Sequence, residues 1–202
     1  MGEKIKYGVC NVHCAPATIA STGAATYGTV FDMPGCVSIT LDQESEKTVF
    51  YADNIEYWIG MNNHGYSGSI EFAVIPDKFK TDILGYLVDN KGVLLEDADA
   101  PIQHFALMFE FNTDKNPNRY VFYKVSLAQR PNVASETVDV TSDLTVQTET
   151  VRFKAMPQKS EVEIGGIKSH LVKAFTGADV DSQAYNDFYS AVYIPSFGGE
   201  SS

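Results

Sequence analysis

Apolar side chains recur at every second position over several short stretches of the chain. The alternation is clearest at residues 103–111 and 119–127, where apolar residues occupy every second position. A period of two predicts half-buried β-strands, and the polar segment between the two stretches predicts that they pair as a hairpin. The expected core positions are Phe105, Leu107, Phe109 and Phe111 on the first strand and Val121, Tyr123, Val125 and Leu127 on the second.

Shorter versions of this pattern predict further strands. They lie at 4–12, 27–31, 36–41, 136–140 and within 144–156, and a further hairpin is expected within 159–174 around Gly165 and Gly166. The small-residue segment 15–25 predicts a flexible connection, and the charged segment 42–47 predicts a turn.

Two stretches change to a helical period. Pro76 and Gly85 bracket a short stripe formed by Phe79 and Ile83, which predicts a short helix lying on the sheet. Near the C-terminus, acidic residues at 179 and 181 precede apolar residues at 185, 188, 189 and 192, which predicts a second helix. The expected fold class is mainly β (α+β), an antiparallel β-sandwich or barrel with a flanking short helix and a C-terminal helix.

The segment 50–72 stands out from the other strand candidates because it is rich in aromatic residues and holds the single tryptophan. Aromatic and β-branched runs around an Asn/Gly-rich break at 62–68 predict a long hairpin or extended arm. Aromatic rings that carry polar groups make strong contacts when another chain covers them. We therefore predict an assembly surface, with contacts made by Tyr51, Asp53, Asn54, Tyr57, Trp58, Asn63 and Tyr66.

The length of the chain indicates how many domains it forms, and its net charge argues against some classes of function. A chain of 202 residues is expected to form one domain, here over 1–195 with the arm around 42–68 and a disordered tail at 196–202. The net charge of −11 argues against stable nucleic-acid binding, because neutralising phosphates requires Lys and Arg. It leaves open that nucleic acid passes close by without binding. We expect no membrane span or secretory signal, and hence a protein made in a reducing cytoplasm.

No motif for catalysis or cofactor binding is complete. Residues 65–69 (GYSGS) approach the nucleophile elbow around Ser67, but the fifth position is not glycine and another strand is expected to follow. Phosphate-binding glycine motifs are missing from the sequence, and the four histidines are scattered. We expect no enzymatic activity and no cofactor.

The three cysteines raise the question of a metal site. Cys10, His13 and Cys14, completed by Cys36 or His64, would supply four ligands, but their spacing matches no common zinc signature. We interpret the cysteines as small, partly buried thiols in strands, and expect no metal.

Two other functions remain open at this point. Tyr and Trp beside Asn and Asp could form a carbohydrate platform on a β-sandwich. A hydrolase that uses Ser67 is the second alternative, although its motif is incomplete.

Short motifs occur in order along most of the chain: YG (7–8), NVH (11–13), YGT (27–29), MPG (33–35), FYADN (50–54), NHGYSG (63–68), FAL with FEF (105–111), RP (130–131), QTET (147–150) and YNDFY (185–189). In this order they resemble the major tail proteins, or tail tube proteins, of siphophages that infect Gram-positive bacteria. The segments FYADN and NHGYSG are the most specific part of the resemblance.

The resemblance implies two packed antiparallel sheets flanked by a helix, in a subunit that forms hexameric rings. Such rings stack into a hollow tube around a tape measure protein, with a tail terminator as a further partner. DNA passes through the lumen without specific binding. The implied location is the tail of the virion, after synthesis and assembly in the cytoplasm of the host bacterium.

Overall fold

The computed structural model of the protein describes residues 5–113, 117–132, 135, 146–164 and 167–196. Within these ranges the chain is mainly β, with one large antiparallel sheet and two small hairpins. In chain order the elements are β1 (Lys6–Ile19), β2 (Ala25–Tyr27), β3 (Phe31–Asp32), β4 (Cys36–Ala52), β5 (Ile55–Phe72), α1 (Asp77–Asp82), β6 (Leu87–Val88), β7 (Leu94–Leu95), β8 (His104–Thr113), β9 (Arg119–Leu127), β10 (Glu149–Ala155), β11 (Gln158–Ile164), β12 (Ile167–Leu171), β13 (Lys173–Phe175), α2 (Ser182–Asn186) and a 3₁₀ turn (Asp187–Tyr189).

The large sheet has nine strands and curls toward closure. Its strand order is β2-β1-β8-β9-β10-β5-β4, with β3 paired to β1 and β13 paired to β9. The strands β1 and β4 stand near opposite ends of this order and nevertheless lie beside each other. The antiparallel, mainly β class is therefore confirmed. The two separate packed sheets implied by the family resemblance are replaced, in the described residues, by one curled sheet.

The core has two parts, because β8 and β9 are buried on both faces. The larger cluster draws on β1, β5, β8, β9 and β10 and includes Phe79 of α1. The smaller cluster lies on the other face, where Ala106 and Met108 pack with Phe188 and Val192 of the C-terminal segment. Each large apolar side chain buried in this way stabilises the fold by roughly 1.5–3 kcal/mol. The predicted core face of β8 is confirmed, since Phe105, Leu107 and Phe109 are buried and Phe111 packs against them.

The predicted core face of β9 is wrong because the strand contains a β-bulge. Phe105 pairs with Val125, whereas Leu107 pairs with Phe122, so β9 has one residue more than β8 between these pairs. A bulge shifts the side-chain alternation to the other face. Val121 therefore belongs to the smaller cluster, with Tyr123, while Phe122, Val125 and Leu127 belong to the larger one.

One predicted connection is strand in its first five residues and another is strand throughout. The segment 15–25 was expected to be flexible, but β1 continues through it to Ile19, and its small residues Ala15 and Ala17 are buried. The segment 42–47 was expected to be a turn, but it lies inside β4. Its charged residues suggested a turn because β4 is the last strand in the order of the sheet and its side chains here are mostly exposed.

The helices and the remaining hairpin agree with the sequence. Phe79 and Ile83 are buried, and the side chain of Asp181 caps α2 by accepting hydrogen bonds from two backbone N–H groups. The strands β11 and β12 pair antiparallel, which confirms the hairpin expected within 159–174. The predicted strand at 136–140, the turn at Gly165 and Gly166, and the tail beyond Ser196 lie outside the described residues.

Candidate assembly site

Beyond the curled sheet, β4 and β5 continue as a two-stranded ribbon, which we call the arm (residues 44–65). The strand β10 pairs with β5 only between Phe72 and Tyr66. Past that point, β4 and β5 pair with each other from Glu44–Gly65 to Ala52–Ile55, and no other described strand joins them. At about 3.3 Å per residue, the arm is about 30 Å long.

The tip of the arm is a two-residue turn formed by Asp53 and Asn54. Their φ angles are 52° and 63°, and the flanking Ala52 and Ile55 are paired. Two consecutive residues with positive φ give the turn whose twist matches that of a hairpin. Asp and Asn tolerate this conformation better than other residues with a side chain. The sequence placed the turn of the hairpin at the Asn/Gly-rich break 62–68, and this prediction is wrong. Asp53 and Asn54 form the turn at the tip.

The root of the arm contains Gly65 and Asn63. Ser45 pairs with Asn63 while Glu44 pairs with Gly65, so His64 is an extra residue and forms a bulge. Gly65 has φ of +100°, and a Cβ there would lie 2.0 Å from the carbonyl oxygen of Ala155. The side-chain Oδ1 of Asn63 accepts a hydrogen bond from the Gly65 N–H at 2.9 Å. These two residues set the direction in which the arm leaves the sheet.

Charged contacts tie the root to β10. Lys154 Nζ lies 2.5 Å from Glu44 Oε2, and the hydrogen bond from Lys154 holds the pKa of the Glu44 carboxyl below its ordinary value. His64 Nε2 lies 3.6 Å from Glu46 Oε2. Glu44 therefore remains ionised at neutral pH and links the root of the arm to the sheet.

Tyr66 lies on the sheet below the arm. It is half-buried, and its ring meets the ring of Phe122 edge-on with centroids 5.4 Å apart. Lys173 Nζ lies 4.4 Å from the centroid of the Tyr66 ring. Tyr66 is thus a predicted contact residue whose ring is already engaged with the sheet of its own subunit.

Large apolar side chains are exposed along the whole arm. Seven of them are between 50 and 73 % exposed: Phe50, Tyr51, Ile55, Tyr57, Trp58, Ile59 and Met61. Single exposed apolar residues are ordinary on a protein surface, whereas a contiguous set marks an interaction site. The predicted residues Tyr51, Tyr57 and Trp58 belong to this set.

Both faces of the arm carry apolar groups. Residues directly opposite each other in an antiparallel pair share a face, which places Phe50 with Trp58 on one face and Val49 with Ile59 on the other. The indole ring of Trp58 lies over Gly60, where an added Cβ would come within 2.2 Å of the ring. Tyr57 is the extra residue of a second bulge between Phe50 and Tyr51 of the facing strand.

Sequence reasoning missed Phe50, Ile55, Ile59 and Met61. A signal was present, because Ile55, Tyr57, Ile59 and Met61 alternate with other residues as in a strand. The expected Asn/Gly break just beyond this run made the strand seem to end at residue 61. The continuous pairing of β5 through Asn62, Asn63 and Gly65 shows that it does not.

The geometry of a nucleophile elbow is missing at Ser67. This residue lies in the middle of β5, paired with Lys154 on one side and Asp42 on the other. An elbow requires a sharp turn from a strand into a helix, which exposes the serine hydroxyl. Ser67 is instead held in a continuous strand.

The cysteines lie in strands, as interpreted from the sequence, and all three are free. Cys14 is buried in the larger core cluster, while Cys10 Sγ donates to Asn112 Oδ1 at 3.0 Å. Burial raises the pKa of the Cys36 thiol to about 11, so it remains protonated at neutral pH. Among the described residues, no three His, Cys, Asp or Glu side chains are grouped as metal ligands would be.

A scan of the chain against protein-family models found no match, and a search of curated proteins found none either. Both helices in the described ranges are too short, and not apolar enough, to cross a bilayer. The functional conclusion therefore depends on the geometry of the arm.

Proposed function

We propose that the protein is a structural virion protein that self-associates through its arm and builds a phage tail tube. The observation that carries this proposal is the exposure of seven large apolar side chains on a ribbon that leaves its own sheet. A two-stranded hairpin by itself is marginally stable in water. An arm of this composition gains stability when a neighbouring subunit covers it.

The energetics favour many simultaneous contacts over a single pair of subunits. Full burial stabilises each large apolar side chain by roughly 1.5–3 kcal/mol, so covering seven half-exposed ones contributes roughly 5–12 kcal/mol. Association costs about 4–15 kcal/mol in lost freedom of motion. One covered arm therefore gives at best a weak contact between two subunits, and stable assembly requires each subunit to make several contacts, as it would in stacked rings.

Under this proposal, the subunits form rings, hexameric by the family resemblance, that stack around a tape measure protein and end at a tail terminator. The tube lies in the tail of the virion and delivers DNA to the host. The net charge of −11 supports a bore that repels phosphate and lets DNA slide. A charge map of the assembled tube tests this point, and a basic or neutral bore would contradict it.

The decisive experiment replaces Tyr57 and Trp58 with alanine. We expect the variant to remain folded, because both side chains are exposed, and to stop forming rings or tubes in electron microscopy. The matched control replaces Phe175 and Ile194, which are exposed to a similar extent away from the arm. Tubes formed by the arm variant as readily as by the wild type would refute the proposal.

The exposed rings of Tyr57 and Trp58 also favour a second candidate, a carbohydrate-binding β-sandwich used in host attachment. This function predicts that the monomer binds glycans and that no ring or filament forms at high concentration. A glycan-array measurement on the monomer, beside microscopy of the concentrated protein, separates the two candidates.

A further inference from the structure

A second exposed apolar ribbon, which we call the receiving hairpin, is formed by β6 and β7 (residues 87–95). Leu87 pairs with Leu95 and Val88 pairs with Leu94. Four large apolar side chains are exposed here: Leu87, Val88, Val93 and Leu95. Outside the arm, this is the densest run of exposed large apolar side chains in the described part of the chain.

The receiving hairpin has a preformed turn. Asp89 Oδ1 accepts hydrogen bonds from the N–H groups of Lys91 and Val93, each at 2.8 Å. Gly92 has φ of +83°, which glycine adopts without strain. A surface that is ordered before binding loses little freedom when a partner covers it.

The base of the receiving hairpin is fixed by Arg130. Its guanidinium donates to the carbonyl oxygens of Leu84 and Ala100, at 3.1 and 3.3 Å, and pairs with Glu96 at 3.2 Å. Arg130 lies just after β9, two residues beyond Ala128. The Ala128 N–H donates a hydrogen bond to the carbonyl oxygen of Arg152 on β10. The base is therefore near the first residues of β10.

The arm and the receiving hairpin lie toward opposite ends of β5. Glu149, the first residue of β10, pairs with Phe72, the last residue of β5. After Phe72 the chain continues to α1 and β6. The last residue of β10, Ala155, pairs with Tyr66, just below the root of the arm. The bases of the two apolar ribbons thus lie toward opposite ends of β5 on one subunit.

We propose that the arm of one copy packs against the receiving hairpin of a second copy, a contact that rests on the proposed self-association and specifies its partner surface. A contact between two different patches leaves a free hairpin on the first copy and a free arm on the second, so addition of subunits continues. An arm-to-arm contact would instead stop at a dimer.

The size of the arm agrees with this pairing. The seven exposed side chains of the arm offer roughly 700 Å², close to the share of one partner in a standard interface. Both ribbons carry acidic residues, including Glu46 and Glu56 on the arm and Asp89 and Glu96 at the hairpin. Apolar contact and edge pairing of strands therefore hold the two copies together, and ion pairs contribute little.

Two variants test the contact. The arm variant carries Trp58→Glu and Ile59→Glu, and the hairpin variant carries Leu87→Glu and Val88→Glu. All four positions are exposed, so both variants are expected to fold. Each variant alone should remain monomeric. Mixed at equal concentrations of about 1 mM, which populate a contact with a Kd of about 1 mM, they should form a weak heterodimer of twice the monomer mass and nothing larger, because the arm of the hairpin variant meets the intact hairpin of the arm variant.

The single tryptophan gives a second readout. The arm variant contains no tryptophan, so all indole fluorescence in the mixture comes from Trp58 of the hairpin variant. We expect a blue shift on mixing, as Trp58 moves from water into the contact. A control variant with Phe175→Glu and Ile194→Glu should assemble as the wild type does.

The outcomes separate the two proposals. If the hairpin variant assembles as well as the wild type, or if the mixture remains monomeric with unshifted fluorescence, the receiving hairpin is not the partner surface. If the arm variant assembles as well as the wild type, the proposed function itself is wrong.

Discussion

At the scale of single residues, a buried charged cluster joins the C-terminal helix to the sheet. Arg119 Nε lies 3.3 Å from Glu110 Oε2, and Glu110 is buried on β8. The Asn11 amide also donates to Glu110, and the Arg119 guanidinium donates to the carbonyl oxygen of Tyr185. The same guanidinium stacks on the rings of Tyr185 and Tyr189, at 4.1 and 4.8 Å from their centroids. One cation thus neutralises a buried carboxylate and anchors α2.

Replacing Arg119 with alanine should destabilise the fold by about 3–5 kcal/mol, because Glu110 would be left buried without its cation. Urea unfolding followed by circular dichroism measures the change. Arg152→Ala is the matched control, since Arg152 is exposed on β10 and its loss should change stability by no more than about 0.5 kcal/mol. Equal effects of the two substitutions would show that the cluster contributes nothing specific.

Gly65 at the root of the arm allows a comparison between two glycines of similar backbone conformation. Gly65→Ala should be strongly destabilising, because the new Cβ would lie 2.0 Å from the Ala155 carbonyl oxygen in addition to the strain of positive φ. Gly92 also has positive φ, but a Cβ there meets nothing within 4 Å. Gly92→Ala should therefore show only the strain of about 1–2 kcal/mol. Unfolding free energies of the two variants that agree within error would contradict the close approach at the root.

At the scale of elements, the sequence predicts strands well where one face is buried. Val151, Phe153 and Ala155 on β10 alternate with Arg152 and Lys154, and the structure buries the first set and exposes the second. The curled core imposes this alternation because a shift of one residue would expose every apolar side chain. The bulge in β9 was not predictable in this way, since Val121, Phe122, Tyr123 and Val125 are all buried and sequence alternation does not reveal the change of face.

The arm was predicted as a feature but its turn was misplaced. No face of the arm is buried in its own subunit, so its polar and charged positions, such as 44–47, follow no core-facing pattern. Asn62 and Asn63 are residues typical of turns, yet both are paired within a strand. The chain forms a bulge at His64 instead of a turn. Turn composition alone does not separate a bulge from a hairpin loop.

The turn at the tip of the arm can be strengthened. Asn54 has φ of 63°, and glycine is favoured at this second position of the turn. Asn54→Gly should slow hydrogen exchange of the arm amides, whereas Asn54→Val should speed it because a β-branched residue resists positive φ. Amides of β8 and β9 serve as the internal reference. Unchanged exchange in both variants would mean that the tip does not limit the order of the arm.

At the scale of the whole molecule, copies of a chain with net charge −11 repel one another. The proposed assembly brings two acidic ribbons together, so apolar burial must exceed this repulsion. The long-range part of the repulsion is screened over about 10 Å at 0.1 M salt and about 3 Å at 1 M salt. The apolar part does not weaken when salt is added.

Assembly should therefore strengthen as ionic strength rises. Light scattering of the wild type at about 0.05 and 0.5 M sodium chloride should show a lower critical concentration at the higher salt, because screening removes repulsion and leaves the apolar contact intact. The Trp58→Glu and Ile59→Glu variant is the control. Because two apolar side chains of its arm are replaced by charged ones, it should remain monomeric at both salt concentrations. Dissolution of wild-type assemblies by added salt would instead mean that ion pairs join the subunits. In that case the exposed apolar groups of the arm would not be the main source of stability of the tube.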